Sequence, residues 1–340
     1  MNDCLSKPSQ QMLYTDREGL TSSTNGTRDS EFWFDDGNIV LIAGDVRFLF
    51  YQGILAKHSP VFKALFSLPQ PSLPASEPPS LPQVAISDSA NAVRHFLRVL
   101  VVGHQSFSHG RNPTFDEISA WIRLGHKYEV ESLVKCSLDF LRRYFSDDPH
   151  QWFAQTLLAP PGWQPAHAIG VVNLARLTGA AWLLPTALTV CCTLGPEVVD
   201  GVAREDGGRE TLAPADLGRC FAAKAALARA DGAKVLAVFR DEVAPGCRAR
   251  WACRRVLRRL MGCVLRGDPR TKRVEWYESW TPFVDEVDDR RELCGWCYKM
   301  VTETRQDAQE KDVFMRLPEI MGVKVEGWGK VLKRDSVDGA

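Results

Sequence analysis

The sequence predicts an α+β N-terminal domain, a small sheet with a helical cluster, followed by an all-α domain. The chain has 340 residues and 45% of them are hydrophobic, which is enough for two domains of ordinary size. Strand patterns bounded by turn residues occur only before residue 87. From residue 147 onward, apolar residues recur at helical spacing between clusters of Gly, Pro and Asp.

The first secondary-structure prediction is a β-hairpin. Ile39–Ile42 is a short run rich in β-branched residues, and Val46, Phe48 and Phe50 alternate with less buried positions. Ala43-Gly44-Asp45 supplies the turn between the two runs. We therefore expect two antiparallel strands joined by a tight turn.

Helix signals surround a third predicted strand, Val84–Ile86. Ser59-Pro60 has the pattern of an N-cap followed by proline at the first helical position, and it predicts two short helices on either side. Ser87-Asp88-Ser89 caps a helix after the strand. Thr114 and Glu117 stand at the spacing of a capping box and begin another helix.

These patterns give the predicted domain boundaries. Residues 1–30 and 331–340 are polar, lack apolar periodicity and are predicted to be disordered tails. Residues 31–146 form the first domain, and residues 147–330 form the all-helical domain. Within the first domain, six prolines in residues 67–83 predict an extended loop, because proline denies the backbone donors that helices and sheets need.

Three segments carry a resemblance to a known family. FWFDDGNIVLIAGDVRFLFYQGILAKHSPVFKALF, residues 32–66, resembles the opening of a BTB/POZ domain, with Leu55 followed by the His58-Ser59-Pro60 turn. The resemblance continues through QVAISDSANAVRHFLRVL and TFDEISAWIRLGHKYEVESLVKCSLDFLRRYF. It covers about a third of the chain, and its style is similar to that of fungal BTB proteins.

The resemblance implies a protein-interaction module that pairs with itself through its hydrophobic N-terminal elements. It further implies an adaptor or scaffold role, since some members of the family bind a cullin and present a cargo protein for ubiquitination, and the helical half would then be the cargo receptor or a further oligomerisation surface. Phe115-Asp116-Glu117 is similar to a hydrophobic-x-acidic motif of some adaptors. The candidate dimer and partner residues are Phe32, Trp33, Phe34, Leu55, His58, Phe115 and Glu117.

Signatures of other classes are missing from the sequence. There is no phosphate loop, dinucleotide fingerprint, nucleophile elbow or His-Glu-x-x-His, so we expect no enzyme and no cofactor other than a structural metal. No histidine follows His167, which excludes Cys2His2 fingers, and there is no kelch-like repeat. The N-terminus lacks a secretory pattern, so we expect a cytoplasmic or nuclear protein.

Membrane insertion is not expected either. Residues 177–196 carry no charged side chain over a length that could span a bilayer. Gly179, Pro185 and Pro196 interrupt this stretch, and two short buried helices fit it better. The 42 basic and 42 acidic residues balance, which argues against binding nucleic acid through global charge.

Cysteine spacing predicts a candidate structural zinc site. Cys294 and Cys297 form a Cys-x-x-Cys pair, and Cys247 and Cys253 are the natural second pair, with Cys263 able to replace one ligand. The competing interpretation is that these cysteines simply pack in the core, as Cys253 lies on an apolar helical stripe. A redox role for the pair is weaker, because no βαβ setting surrounds it.

An arginine-rich helix provides the alternative function. Arg254, Arg255, Arg258 and Arg259 share the face opposite the apolar stripe and could contact phosphates in a nuclear regulator. The simpler interpretation is pairing with the acidic stretch that follows, between residues 275 and 289. Nucleic acid is therefore the less favoured partner.

Overall fold

The computed structural model describes residues 26–68, 81–103, 111–155, 158–269 and 277–329. The predicted tail at residues 331–340 lies outside the described residues, as does most of the predicted proline-rich loop. The ends of that loop are placed, because Ser67 ends a helix and Gln83 begins a strand.

The chain divides into two compact units. One comprises residues 1–53 and 70–90, and the other comprises residues 54–69 and 91–340. The first unit contains a four-stranded sheet, and the second is predominantly helical. A mixed α and β N-terminal region followed by a helical part is therefore the observed architecture.

The sheet is built from four strands in the order β1-β3-β2-β4. They are β1 Thr27–Trp33, β2 Ile39–Ala43, β3 Val46–Phe50 and β4 Gln83–Ile86. Strands β2 and β3 pair antiparallel, which confirms the predicted hairpin, and β1 and β4 each pair parallel to their neighbour. Gly44 in the turn has φ of 61°, a left-handed conformation that glycine adopts without strain.

The predicted disordered tail through residue 30 is wrong for residues 27–30, which belong to β1. Their sequence has no apolar alternation, so the strand depends on its partner. Thr27 and Arg28 pair with Val46 and Arg47 of β3. Asp29 further orders the strand, because its carboxylate accepts the backbone N–H of Phe32 at 2.8 Å.

The helices that follow the hairpin agree with the predicted signals. They are α1 Gln52–His58, α2 Pro60–Ser67, α3 Ala90–Val102, α4 Phe115–Lys127 and α5 Glu131–Arg142. The Ser59 Oγ accepts the N–H of Phe62 at 3.1 Å, confirming the predicted N-cap of α2. The capping box of Thr114 and Glu117 is also confirmed at the start of α4.

After α5, the described residues form nine further α-helices and one short hairpin. The helices are α6 Pro149–Phe153, α7 Ala168–Thr178, α8 Leu184–Thr193, α9 Glu197–Asp200, α10 Pro214–Val238, α11 Arg250–Leu265, α12 Thr281–Val287, α13 Gly295–Lys299 and α14 Arg305–Ile320. The exception to the predicted all-α half is a short hairpin of β5 Val202–Ala203 and β6 Arg209–Glu210. The sequence of this hairpin is polar and shows no alternation of apolar and polar residues that would predict strands. Hydrogen bonds from the Arg123 and Asn173 side chains to the Glu210 carboxylate hold β6 in place.

The uncharged stretch at residues 177–196 contains one buried α-helix, α8, preceded by a 3-10 turn at Ala181–Leu183, rather than the two short α-helices predicted, because α7 ends where the stretch begins. Helix α7 ends at Gly179, which has φ of 70°, and Pro185 occupies the first turn of α8. Among the described helices, none is both long and apolar enough to cross a bilayer.

Helices on both sides of residue 146 pack together in the second unit. The Phe115 ring of α4 stacks on His167 at 4.7 Å between centroids and meets Trp163 edge-on at 5.3 Å. A Cβ on Gly170 of α7 would lie 2.1 Å from the Phe115 ring, so glycine is required for this approach. The two units therefore do not divide at the predicted boundary, and the domain assignment stays a prediction.

A hydrophobic core surrounds the C-terminal half of α10 and helices α11 to α13. Its larger members include Phe239, Val256, Leu257, Leu260, Trp280, Phe283, Val284 and Val301. The buried Arg305 guanidinium donates to the carbonyl oxygens of Val238 and Glu242, both at 2.9 Å. It thereby satisfies acceptors at the C-terminal end of α10 and in the segment after it. This core holds the candidate site.

Candidate metal centre

Four cysteines from two separate stretches of the chain, residues 247–253 and 294–297, lie close together. Cys253 lies on the buried stripe of α11, and Cys297 lies in α13; both side chains are 0% exposed. Cys247 follows a turn in which its N–H donates to the carbonyl of Ala244 at 2.9 Å. Cys294 is the residue before α13 and is half-buried. Each pair therefore contributes one ligand from a helix and one from a non-helical segment.

The sulfur atoms form a compact group. All four Sγ atoms lie within 4.8 Å of one another, and those of Cys294 and Cys247 are 3.7 Å apart. Among the residues that the structure describes, this is the one group of potential metal ligands that converges in this way. Cys263, predicted as a possible substitute ligand, is not part of it and instead lies 3.7 Å from the Arg266 guanidinium.

Backbone N–H groups point at two of the sulfurs. The Cys294 N–H donates to Cys253 Sγ at 3.3 Å, and the Ala244 N–H donates to Cys297 Sγ at 3.4 Å. Such donors stabilise thiolate charge and orient the ligands. Ala244 was not recognised from the sequence, although Pro245-Gly246 before Cys247 signals the tight turn that positions it.

The thiols differ in their ionisation. Burial raises the pKa of the Cys253 and Cys297 thiols, because a thiolate without a counter-charge is poorly solvated there. Desolvation alone would also raise the pKa of Cys294. The Cys297 backbone N–H and the neighbouring thiols outweigh this and lower it. A cation at the centre of the group would stabilise all four thiolates together.

The donor set fits a single zinc ion. A Zn–S bond of about 2.3 Å in a tetrahedron places the sulfurs about 3.8 Å apart. The distance of 3.7 Å between the Cys294 and Cys247 sulfurs matches this edge, and no two of the four sulfurs are more than 4.8 Å apart. Four thiolates select soft ions such as Zn²⁺ rather than Mg²⁺ or Ca²⁺.

A buried carboxylate shapes the loop that leads to Cys294. Asp288 is 2% exposed and accepts the backbone N–H groups of Glu292 and Leu293, both at 3.0 Å. The Arg259 guanidinium donates to Asp288 and to Glu292 at 3.3 Å, and Arg255 also pairs with Glu292. Two arginines of α11 therefore hold this loop in place beside the cysteines.

The other two arginines of the predicted nucleic-acid surface are also paired within the chain. Arg254 and Arg258 both contact the carboxylate of Asp241, at 3.3 and 2.6 Å. All four arginines thus have carboxylate partners, but only Asp288 lies in the acidic stretch at residues 275–289 that the simpler interpretation named, and Asp241 and Glu292 lie outside it. Ion pairs on the chain itself reduce the charge available for phosphates.

Arg259→Gln is expected to lower the free energy of unfolding by about 1–2 kcal/mol, because a buried carboxylate loses its cation. This loss is at the lower end of what removing one partner of a buried charged pair costs, because Arg259 is more than one third exposed and solvent screens its charge. Urea denaturation checks this. The matched control Arg254→Gln, which removes an exposed pair with Asp241, should change stability by less than about 0.5 kcal/mol. Equal effects of the two variants would contradict the structural role of Arg259.

The candidate interaction residues from the BTB resemblance have different environments. Four are buried and so belong to the core of the described chain: Phe32, Leu55, Phe115 and Glu117. Trp33 and Phe34 are half-buried, and His58 is exposed. Glu117 accepts from the Arg111 guanidinium at 2.7 Å besides capping α4. The candidates whose side chains reach the surface are therefore Trp33 and Phe34 in the first unit and His58 in the second.

The helical unit also has an open pocket of about 330 Å³. It is lined by Pro149, His150, Phe153, Ala154, Asp307, Glu310 and Lys311. Glu310 is engaged in an ion pair with Lys234 at 2.8 Å.

Comparison with other proteins adds no relative. No protein-family model matches the chain, and no curated protein matches it either.

Proposed function

We propose that this chain is a protein-interaction module that self-associates through a BTB-like N-terminal region. The order of its elements carries the proposal: a hairpin, two short helices divided at Ser59-Pro60, a strand, and then α3, α4 and α5. This is the order expected from the sequence resemblance. Half-buried aromatic side chains at Trp33 and Phe34 provide apolar surface of the kind that protein interfaces use.

The same proposal includes an adaptor or scaffold role. The N-terminal region would bind a cullin, and the helical half would receive a cargo protein or provide a further oligomerisation surface, in the cytoplasm or the nucleus. Binding rather than catalysis is proposed because the sequence carries none of the catalytic motifs named above. The arginine helix is not proposed as a nucleic-acid surface, since its four arginines have carboxylate partners.

The proposal further assigns a structural zinc ion to Cys247, Cys253, Cys294 and Cys297. Zinc would join the segment after α10 and the start of α11 to the segment that begins α13. The supporting observation is the convergence of the four sulfurs within 4.8 Å, with the Cys247–Cys294 pair at 3.7 Å, close to the edge of a ZnS4 tetrahedron. Elemental analysis of the purified protein should find about one zinc per chain. If the elemental analysis found iron and no zinc, the same four cysteines would bind a different metal.

Sedimentation velocity of the full chain tests self-association. We expect a concentration-dependent dimer that Trp33→Ala shifts towards monomer, because an aromatic anchor at an interface contributes about 2 kcal/mol or more. Trp251→Ala is the matched control, as Trp251 is the more exposed tryptophan, at 74%, and lies in the helical unit. A monomer at all concentrations, or a dimer that only Trp251→Ala weakens, would contradict the proposal. Circular dichroism verifies that both variants fold.

A further inference from the structure

The four clustered cysteines are not equivalent. Cys253 and Cys297 are fully buried and lie within helices, where backbone hydrogen bonds fix their positions. Cys247 and Cys294 lie outside helices, one after the Pro245-Gly246 turn and one in extended conformation with φ of −69° and ψ of 156°. Of the four, Cys294 is the one with partial solvent exposure.

The two non-helical cysteines are close enough to react with each other. Their Sγ atoms are 3.7 Å apart, so they must approach by about 1.7 Å to reach the disulfide bond length. Turn and extended backbone can accommodate such a movement at lower cost than the helical backbone of Cys253 and Cys297. Solvent reaches the pair from the side of Cys294.

We propose that Cys294 is a site of oxidation by hydroperoxides and that Cys247 resolves the oxidised residue into a disulfide. The effect on metal binding rests on the zinc centre proposed above. Hydrogen peroxide is the oxidant: the Cys294 sulfur attacks one peroxide oxygen, the O–O bond breaks, and a sulfenic acid and water form. The Cys247 sulfur then attacks the Cys294 sulfur and displaces the hydroxyl group as a second water. Two thiols and one peroxide thus yield one disulfide and two waters.

The disulfide removes two of the four zinc ligands. Cys253 and Cys297 alone could not complete a tetrahedral site, so a bound zinc ion would be released. Cys253 and Cys297 remain in the core of the helical unit. A thiol reductant restores the original state by exchange with the disulfide, which makes the modification reversible.

The test uses the full chain as purified, treated with a modest excess of hydrogen peroxide. Zinc release is followed with a chromogenic chelator, and disulfides are mapped by mass spectrometry without reduction. We expect one Cys247–Cys294 disulfide for each zinc released, reversed by dithiothreitol. In Cys247→Ser, the sulfenic acid has no resolving thiol, and dimedone should label Cys294. Cys136→Ser, which changes a half-buried cysteine outside the cluster, should oxidise like the unmodified chain.

The outcomes separate this inference from the zinc proposal. Elemental analysis before oxidation tests zinc alone, whereas disulfide mapping is informative with or without the metal. A first disulfide between Cys253 and Cys297, or dimedone on Cys136 rather than Cys294, would overturn the inference. The inference would also be overturned if Cys136 were oxidised while all four clustered cysteines stayed reduced.

Discussion

Cys253→Ser is expected to abolish zinc binding and to lower the free energy of unfolding by about 4 kcal/mol. A ligand present at about a thousand times its Kd stabilises the folded state by that amount, and this stabilisation is lost with the ion. The loss should be large because Cys253 is a fully buried candidate ligand in the first turn of α11. Elemental analysis and urea denaturation check the two parts of the prediction.

Cys263→Ser is the matched control for this experiment. Cys263 is a second buried cysteine of α11, but its sulfur is not part of the group of four. Its replacement should cost about 1 kcal/mol, as an ordinary buried substitution, and zinc content should not change. A strong chelator should destabilise the unmodified chain and the Cys263→Ser variant alike. Equal stability of the chain before and after chelation would contradict a structural metal.

Glu310→Gln is expected to lower the free energy of unfolding by about 3 kcal/mol. Lys234 is 1% exposed, and its ammonium group is held by the Glu310 carboxylate and the Glu278 carbonyl oxygen, both at 2.8 Å. Removing the carboxylate leaves a buried charge without its counter-charge, which typically costs about 3–5 kcal/mol. We expect the lower end of this energy range because the Glu278 carbonyl oxygen still accepts a hydrogen bond from the Lys234 ammonium group. Urea denaturation at neutral pH measures the loss.

The pH dependence of the Glu310→Gln variant follows from the ionisation of Lys234. Burial lowers the pKa of Lys234, and the Glu310 carboxylate opposes that shift, so its removal should lower the pKa further. A lysine with a depressed folded pKa contributes stability that is present above its unfolded pKa and is lost as pH falls through the folded value. The penalty should therefore shrink as pH rises from neutrality towards the ordinary lysine pKa of 10.5.

Two further variants make the ion-pair prediction specific. The double variant Lys234→Met with Glu310→Gln removes both charges and should recover most of the lost stability, because no buried charge is left. Lys311→Met changes an exposed lysine of α14, the helix that contains Glu310, and should have little effect on the free energy of unfolding. A double variant no more stable than Glu310→Gln alone would show that the ion pair is not the cause.

Local signals predicted much of the secondary structure. The β2–β3 hairpin, the Ser59 cap and the capping box of α4 depend on neighbouring residues, so their patterns are visible in the sequence. Helix α10 shows where local signals fail. The Asp231-Gly232 pair is a local helix-breaking signal, yet α10 continues through it to Val238. Lys234, buried and paired with Glu310 of α14, ties this part of α10 to the core.

The site was predicted in part. The cysteine spacing identified Cys294 and Cys297 as one pair and suggested Cys247 and Cys253 as the other. Spacing alone did not distinguish ligands from core cysteines, because about forty residues separate the pairs. The packing of α11 beside α13 brings the sulfurs together and leaves Cys263 outside the group.

Residue type, spacing along one strand or helix, and turn composition are properties of the sequence, and they were sufficient to predict the hairpin, the helix starts and the candidate ligands. The pairing of β1 with β3, the carboxylate partners of Arg255 and Arg259, and the burial of Phe115 and Leu55 came from the tertiary structure. The reason is physical. Short-range hydrogen bonds and apolar periodicity are encoded by adjacent residues. A parallel strand partner, an ion pair or a shared metal joins residues far apart in the chain, and their distances depend on how all intervening elements pack.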